Sequence, residues 1–224
     1  MSVTYEMLKN DEQVRAYIEA GNNNLKVLGI TDHSFAHVCK TAETAATLLI
    51  DLGYPEEISG LAKIAGFMHD IGNMYNRNLH ALTGAELARS ILERYGMPYE
   101  QVGKICSAIG NHDEDTGYPV NTICAAVILA DKSDVRRSRV QQHDMDLILK
   151  DIHDRVNYAV ERAEISVQKD DEQTAIKLCL DIDTHFTPVM DYFEIFLSRM
   201  LMCRRAASYL GADFELVINN MRIL

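Results

Sequence analysis

The residues best suited to chemistry in this sequence are imidazole and carboxylate side chains at the ends of apolar segments. His69 and Asp70 close the apolar run 64–68, and Asp131 closes the apolar run 125–130. A buried helix end is a costly place for such groups unless a partner compensates them. Five sites of this kind follow one another along the chain, formed by His37, the pair His69 and Asp70, His80, His112 and Asp131.

Imidazole nitrogens and carboxylate oxygens together suit divalent metals. Such ligands bind Zn, Fe, Mn, Co or Ni, and carboxylates also bind Mg. We therefore predict one or two divalent ions as cofactors, with Fe, Mn, Zn, Co, Ni and Mg as the candidates. A single histidine on a helix is more often structural, and we assign His143, His153 and His185 to that class.

The composition restricts the kinds of partner that the chain could have. Its 224 residues carry a formal net charge of −11 without a basic stripe, whereas sequence-independent nucleic-acid binding needs clustered cations. No apolar run approaches the roughly 20 residues that span a bilayer. The five cysteines form no Cys-x-x-Cys pair, which is typical of reduced thiols. We expect a cytoplasmic protein without long nucleic-acid or membrane partners.

Helices must position the candidate ligands. Residues 1 to about 140 show helical spacing of apolar residues, and Gly53 and Pro55 mark a helix end and the next helix start. After a first helix around 14–18, the predicted helices cover about 34–52, 55–72, 79–95, 98–110 and 121–133. A turn is predicted over 113–119, and we interpret its acidic residues Asp113, Glu114 and Asp115 as solvated surface.

The pattern changes after about residue 150. Alternating apolar residues predict a strand with a bulge over 156–167 and a second strand over 176–182. The segment 188–209 predicts a long apolar helix, and 214–218 predicts a last strand. We therefore expect a mainly α protein whose C-terminal third is a small α+β unit in the order β-β-α-β.

The order and context of the candidate ligands resemble a known family. His37, the pair His69 and Asp70, and Asp131 resemble the H…HD…D signature of the HD-domain superfamily of metal-dependent phosphohydrolases. The segments FMHDIG and ILADK are similar to the "LLHDIG" and "ILADK" segments of that family. The resemblance covers about residues 30–140 and implies a helical bundle. We predict a catalytic HD domain over 1–145 and a small α+β domain, for regulation or dimerisation, over 150–224.

Two further histidines extend the resemblance to HD proteins that hold two metals. His80, followed by Gly84 and Ala85, is similar to a helix of that subgroup, and His112 is similar to its next ligand. The resemblance implies a first ion bound by His37, His69, Asp70 and Asp131. It also implies that Asp70 bridges to a second ion bound by His80 and His112. In the alternative, a single ion binds, and both of these histidines contact phosphate.

Five residues near the ligands are candidates for contact with substrate. His33 lies one turn before His37 on the same helix face and competes with it for the first ligand position. The family's interval to the helix end, here Gly53, favours His37, so we assign His33 to substrate contact or to the helix start. Lys132, Arg136, Arg137 and Arg139 are candidate phosphate binders, and a solvated basic turn is the alternative.

The resemblance implies an enzyme with a small phosphorylated substrate. We predict hydrolysis of a phosphate ester or anhydride of a nucleotide or related metabolite through a metal-activated water, with Asp70, His80 and His112 as catalytic residues. The alternative is a non-catalytic metal- or nucleotide-sensing module whose C-terminal unit binds a partner. The apolar helix over 188–209 either covers its hairpin or forms a homodimer surface.

Overall fold

The computed structural model describes residues 3–170 and 173–224. Within these residues ten α-helices occur in the order α1 Tyr5–Lys9, α2 Glu12–Val27, α3 Phe35–Leu52, α4 Glu56–Met68, α5 His80–Arg94, α6 Tyr99–Gly110, α7 Thr122–Lys132, α8 Met145–Lys150, α9 Ile152–Ala159 and α10 Val189–Tyr209. Four strands form one sheet and comprise β1 Val160–Lys169, β2 Thr174–Ile182, β3 Asp213–Ile218 and β4 Met221–Arg222. The expectation of a mainly α fold with a small C-terminal α+β part is confirmed.

Local capping contacts explain why several predicted helix boundaries agree with the structure. The Ser34 hydroxyl accepts a hydrogen bond from the backbone N–H of Ala36 at the start of α3. Asn121 accepts one from the backbone N–H of Cys124, at 2.8 Å, at the start of α7. Gly53 ends α3 in the left-handed region with φ 91°, where glycine has no steric penalty. Such signals lie within a few residues of each boundary, so the sequence alone reveals them.

Helix α7 lies at the centre of the helical bundle. Its residues 123–130 are all buried, and the helix packs against α3, α4, α6 and α10. A helix that is apolar on every side is typical of a protein interior. Asp131 and Lys132 follow this buried segment at the C-terminal end of the helix, so their polar groups emerge inside the protein.

Two glycines allow the ligand-bearing helices to approach the end of α4. A Cβ at Gly66 would lie 3.0 Å from the Cα of Ala42 in α3. A Cβ at Gly72, in the 3-10 turn after α4, would lie only 2.0 Å from the carbonyl oxygen of His80. Only glycine fits such a close backbone approach. Because these two glycines have no side chain, α3 and α5 can pack closely against the segment that contains His69 and Asp70.

The C-terminal strands form a mixed sheet in the order β1-β2-β3-β4. Strands β1 and β2 are an antiparallel hairpin, β2 and β3 are parallel and joined through α10, and β3 pairs with β4 antiparallel. The β-β-α-β order is as predicted, and the two-residue strand β4 adds to it. The predicted bulge is present, since the register with β2 shifts between Val160 and Arg162.

The start of the first predicted strand was wrong. Residues 156–159 belong to α9, and β1 begins at Val160. Asp151 caps α9 by accepting backbone hydrogen bonds, and Val156 and Ala159 are both buried. The short alternation at 156, 158 and 160 does not distinguish a strand from a helix, because residues four apart also share one face of a helix.

One apolar core connects the helical bundle with the sheet. It extends from Val3 to Ile218, and α10 contributes to it by packing against α7, β2 and β3. The division into domains over 1–145 and 150–224 stays a prediction. Among the described residues, no helix combines the length and the apolar character that crossing a bilayer requires.

Candidate metal centre

Six predicted ligands meet at the point where α3, α4, α5, α6 and α7 converge. The imidazoles are all buried, Asp70 is buried with them, and Asp131 keeps 11% of its side chain exposed. Their nitrogen and oxygen atoms form three overlapping groups, each compact enough to hold a metal ion. We call this set the His/Asp cluster, and its members are His37, His69, Asp70, His80, His112 and Asp131.

One half of the His/Asp cluster surrounds the Oδ2 atom of Asp70. This atom lies 3.1 Å from Nε2 of His69 and 3.6 Å from Nε2 of His37. The same two nitrogens lie 3.5 Å and 3.3 Å from Oδ1 of Asp131. Two ligand atoms that each lie about 2.1 Å from one octahedral ion are about 3.0 to 4.2 Å apart. These distances therefore fit a shared divalent cation.

The other half faces the second oxygen of Asp70. Its Oδ1 atom lies 3.5 Å from Nε2 of His80 and 3.9 Å from Nε2 of His112. The two histidine nitrogens are 3.1 Å apart. One carboxylate thus presents each of its oxygens to a different set of histidines.

Hydrogen bonds at the far side of each ring orient the histidines. Nδ1 of His69, His80 and His112 each lies within 2.8 Å of a backbone carbonyl oxygen, namely that of Gly66, Arg77 and Ile109. A carbonyl can only accept, so Nδ1 carries the proton and Nε2 presents a lone pair. This arrangement is the one that metal-binding histidines use.

The lone pairs at the centre need a positive partner. Among the described residues, Nε2 of His37, Nε2 of His69 and Oδ2 of Asp70 are buried without a hydrogen-bond partner. Acceptors that face one another at 3 to 4 Å in a buried site are unfavourable unless a proton or a cation lies between them. The residues present therefore fit a divalent metal ion.

The electrostatics of the His/Asp cluster favour positive charge. Burial opposes protonation of His69, but Asp70 and Asp131 outweigh it and raise the pKa of His69 to about 10, so that a proton binds Nε2 when no metal ion does. Burial alone would raise the pKa of Asp70, yet the surrounding imidazoles hold that pKa well below its usual range. Burial, with His69 and Lys132 nearby, holds the pKa of His112 well below its usual value. His112 is therefore neutral, which is the form that ligates metals.

Asp134 orients His37 and was not singled out in the sequence. Its Oδ2 lies 2.8 Å from Nδ1 of His37. Its Oδ1 accepts from Lys40 at 2.7 Å and from Arg136 at 2.8 Å. Asp134 follows Asp131 by three residues, and this spacing is the one signal that could have suggested a second functional carboxylate. Arg136, predicted to bind substrate, binds Asp134 and does not line the cavity described below.

Lys132 neutralises carboxylates at the edge of the His/Asp cluster. Its Nζ lies 2.8 Å from Oδ2 of Asp131 and also pairs with Glu114. Burial opposes both charges in the second pair, and Lys132 and Arg199 hold the pKa of Glu114 far below its usual value. The expectation that Glu114 belongs to a solvated acidic turn was wrong, since only 13% of its side chain is exposed. The sequence does not reveal this role of Glu114, because Lys132 and Arg199 lie far from it along the chain.

A cavity of about 350 Å³ opens onto the His/Asp cluster. His33 lines it, with Nδ1 bonded to the carbonyl of Thr31 at 2.6 Å and Nε2 4.0 Å from Asp70. His153 also lines the cavity, whereas His143 and His185 do not. The basic residues along its wall are Lys132 and Arg139, which were both predicted as candidate phosphate binders, and Arg77 and Arg199, which were not. A cavity with these side chains suits a small anion.

The fold and the His/Asp cluster together define a member of the HD-domain family. Residues 34–156, more than half of the chain, match the family model described as "HD domain", so the chain belongs to this family of the metal-dependent phosphohydrolase superfamily. The match includes all six residues of the cluster and ends before α10. The chain is also similar to the uncharacterized protein MJ1020 of Methanocaldococcus jannaschii, at 27% identity over 201 residues, covering 79% of this chain and 75% of the relative.

Proposed function

We propose that this protein is a metal-dependent phosphohydrolase that cleaves a phosphate ester or anhydride of a nucleotide or related small metabolite. The observation that carries the proposal is the position of Asp70, whose two oxygens face separate sets of histidine nitrogens. A carboxylate in this position can bridge two divalent ions. We therefore propose that the site holds two ions, and the metal content of the protein tests this number.

Different residues of the chain have different roles in the proposed reaction. Divalent ions bound there would supply Lewis acidity toward phosphoryl oxygens and would make water a better nucleophile. His37, His69 and Asp131 would hold the first position, and His80 and His112 the second. Asp70 would belong to both positions, and the surrounding apolar core would exclude bulk water, which strengthens electrostatic interactions.

The cavity supports an anionic substrate of limited size. Its volume of about 350 Å³ lies near the lower end of small-molecule sites. Lys132 and the three arginines on its wall provide positive charge in a chain with a net charge of −11. The net charge of −11 disfavours a long polyanion, so we propose a small phosphorylated molecule as the substrate.

Phosphate release tests the proposed activity. The protein is depleted of metal, reloaded separately with Mn, Fe, Zn, Co, Ni or Mg, and assayed against a panel of nucleotides and sugar phosphates. We expect turnover with at least one metal and at least a 100-fold loss in Asp70→Asn. Turnover that persists in this folded variant would contradict the proposal. Tight nucleotide binding without turnover for every metal would favour the sensing module instead.

Metal content tests the second position. Elemental analysis should find two ions per chain in the wild type and one in His80→Ala, because this change leaves the residues of the first position intact. One ion in both proteins would show that the single-ion alternative is correct. Exposed His143→Ala provides the matched control, with the metal content of the wild type.

A further inference from the structure

Helix α10 lies outside the part of the chain that matches the HD domain, yet it reaches the cavity at the His/Asp cluster. Phe196 and Arg199 of α10 both line this cavity. The guanidinium carbon of Arg199 lies 4.7 Å from the centre of the Phe196 ring, a cation–π contact that holds the side chain in place. The helix therefore contributes both an apolar wall and a cation to the site.

Arg199 is bound on one side only. Its Nε donates to Oε1 of Glu114 at 2.7 Å. Within residues 3–170 and 173–224, neither terminal nitrogen of Arg199 has a hydrogen-bond partner, and 26% of the side chain is exposed. A guanidinium offers five N–H donors, so most of the donors of this cavity-lining residue remain available.

Two other cations of the cavity wall, Lys132 and Arg139, are more fully engaged by the protein. Lys132 lies between the carboxylates of Asp131 and Glu114. Arg139 donates Nε to the carbonyl of Asp32 and Nη1 to that of Asp134, both at 2.9 Å. These two side chains are each 5% exposed. Their charges therefore stabilise neighbouring groups of the protein more than a ligand in the cavity.

Arg199 is also connected to the metal ligands. Glu114 joins it to Lys132, and Lys132 contacts the oxygen of Asp131 that faces away from the histidines. The charge of the guanidinium is thus partly balanced, and its position is fixed relative to Asp131. A fixed, planar donor of this kind is suited to bidentate contact with phosphate.

We propose that Arg199 binds a phosphate oxygen of the substrate through its terminal nitrogens, so that α10 completes the site formed by the HD domain. This inference rests on the proposed phosphohydrolase function. It also predicts that the C-terminal part of the chain takes part directly in substrate recognition.

Binding of inorganic phosphate to the Mn²⁺-loaded protein tests the inference by calorimetry. In Arg199→Gln we expect phosphate affinity to fall about 10- to 100-fold, the usual effect of losing hydrogen bonds to a charged group. Mn²⁺ affinity should stay within about twofold of the wild type. The matched control is Arg205→Gln, on the same helix but lining a different groove, which should bind phosphate like the wild type.

Arg199→Lys keeps a positive charge beside Glu114 and guards against a folding defect in the first variant. It should keep the thermal stability of the wild type while losing at least threefold in phosphate affinity, because a lysine lacks the planar fork. Equal phosphate affinity in wild type, Arg199→Gln and Arg199→Lys, whether strong, weak or absent, would overturn the inference. A wild type that binds phosphate through Arg199 but hydrolyses nothing would contradict only the proposed function.

Discussion

At the scale of single residues, the ring orientation of His37 depends on a carboxylate. Asp134 is 1% exposed and lies 2.8 Å from Nδ1 of His37, with the Lys40 ammonium and the Arg136 guanidinium on its other oxygen. Burial would raise the pKa of Asp134, but the hydrogen bond and charge of His37, with Arg139 and Arg136, hold that pKa far below its usual range. Asp134 therefore stays ionised and increases the basicity of His37 toward a metal.

Asp134→Asn should weaken metal binding by about 10- to 100-fold, because the orienting partner loses its charge. Competition with a fluorescent chelator measures the affinity. Asp191→Asn is the control, since Asp191 makes a comparable pair with Arg155 outside the cavity lining, and it should bind metal like the wild type. If Asp134→Asn lowers the melting temperature but leaves metal affinity unchanged, the role of Asp134 is only structural.

At the scale of elements, the ends of the helices determine the geometry of the site. The turn after α4 and the start of α5 touch through backbone atoms at Gly72 and His80. This contact positions His80 opposite the second oxygen of Asp70. The position of His80 in the His/Asp cluster therefore depends on the absence of a side chain at Gly72.

Gly72→Ala should lower the free energy of unfolding by about 1 to 3 kcal/mol or more, because a Cβ 2.0 Å from the carbonyl oxygen of His80 forces the backbone apart. Metal affinity should fall as well. Gly103→Ala in α6, where nothing beyond the local backbone of the helix lies within 4 Å of the added Cβ, should be neutral or stabilising by up to about 1 kcal/mol. Urea unfolding measures both variants, and equal stability of the two would contradict the argument.

The start of α2 has a pH-dependent cap. Asp11 accepts from the backbone N–H of Val14 at 2.9 Å and pairs with Arg94 at 2.9 Å. Burial would raise the pKa of Asp11, but the Tyr95 hydroxyl, the Val14 N–H and the Arg94 guanidinium outweigh it and lower that pKa. The ionised cap therefore contributes stability above the pKa of an unfolded aspartate, about 4, and this contribution is lost as the pH falls through the folded value.

Asp11→Ala should cost about 0.5 to 2 kcal/mol at pH 7, the usual range for an N-cap. The difference from the wild type should shrink as the pH is lowered from 5 to 2. Urea unfolding at several pH values measures this difference, and a gap that widens in acid would be incompatible with the assigned cap.

At the scale of the whole molecule, the cavity is formed by residues of the HD domain together with residues of α10. Its wall combines Asp70 and His112 of the HD domain with Arg199 of α10, and one apolar core connects the helices with the sheet. The acidic excess is compatible with phosphate chemistry, because Asp70 and Asp131 could bind metal cations at the place where the proposed substrate would bind.

Because α7 and α10 share the core, we expect a single cooperative unfolding transition. Far-ultraviolet circular dichroism and tyrosine fluorescence should give coincident curves in urea, with tyrosines such as Tyr5 and Tyr192 reporting from the two ends of the chain. Two separate transitions would instead support independent domains over 1–145 and 150–224.

The sequence by itself determined the main helices of the bundle, several of their caps and the types and order of the candidate metal ligands, but it did not reveal α9. Caps act within a few residues, and polar groups at the ends of apolar helices are conspicuous because burial is costly without a partner. The tertiary structure decided which other polar residues serve the site. Asp134, Glu114 and Arg199 look like ordinary surface charges in the sequence, and Arg136 looked equally suitable as a phosphate binder. Only the packing of α3, α7 and α10 determines which charges meet, because electrostatic pairing depends on distance in space.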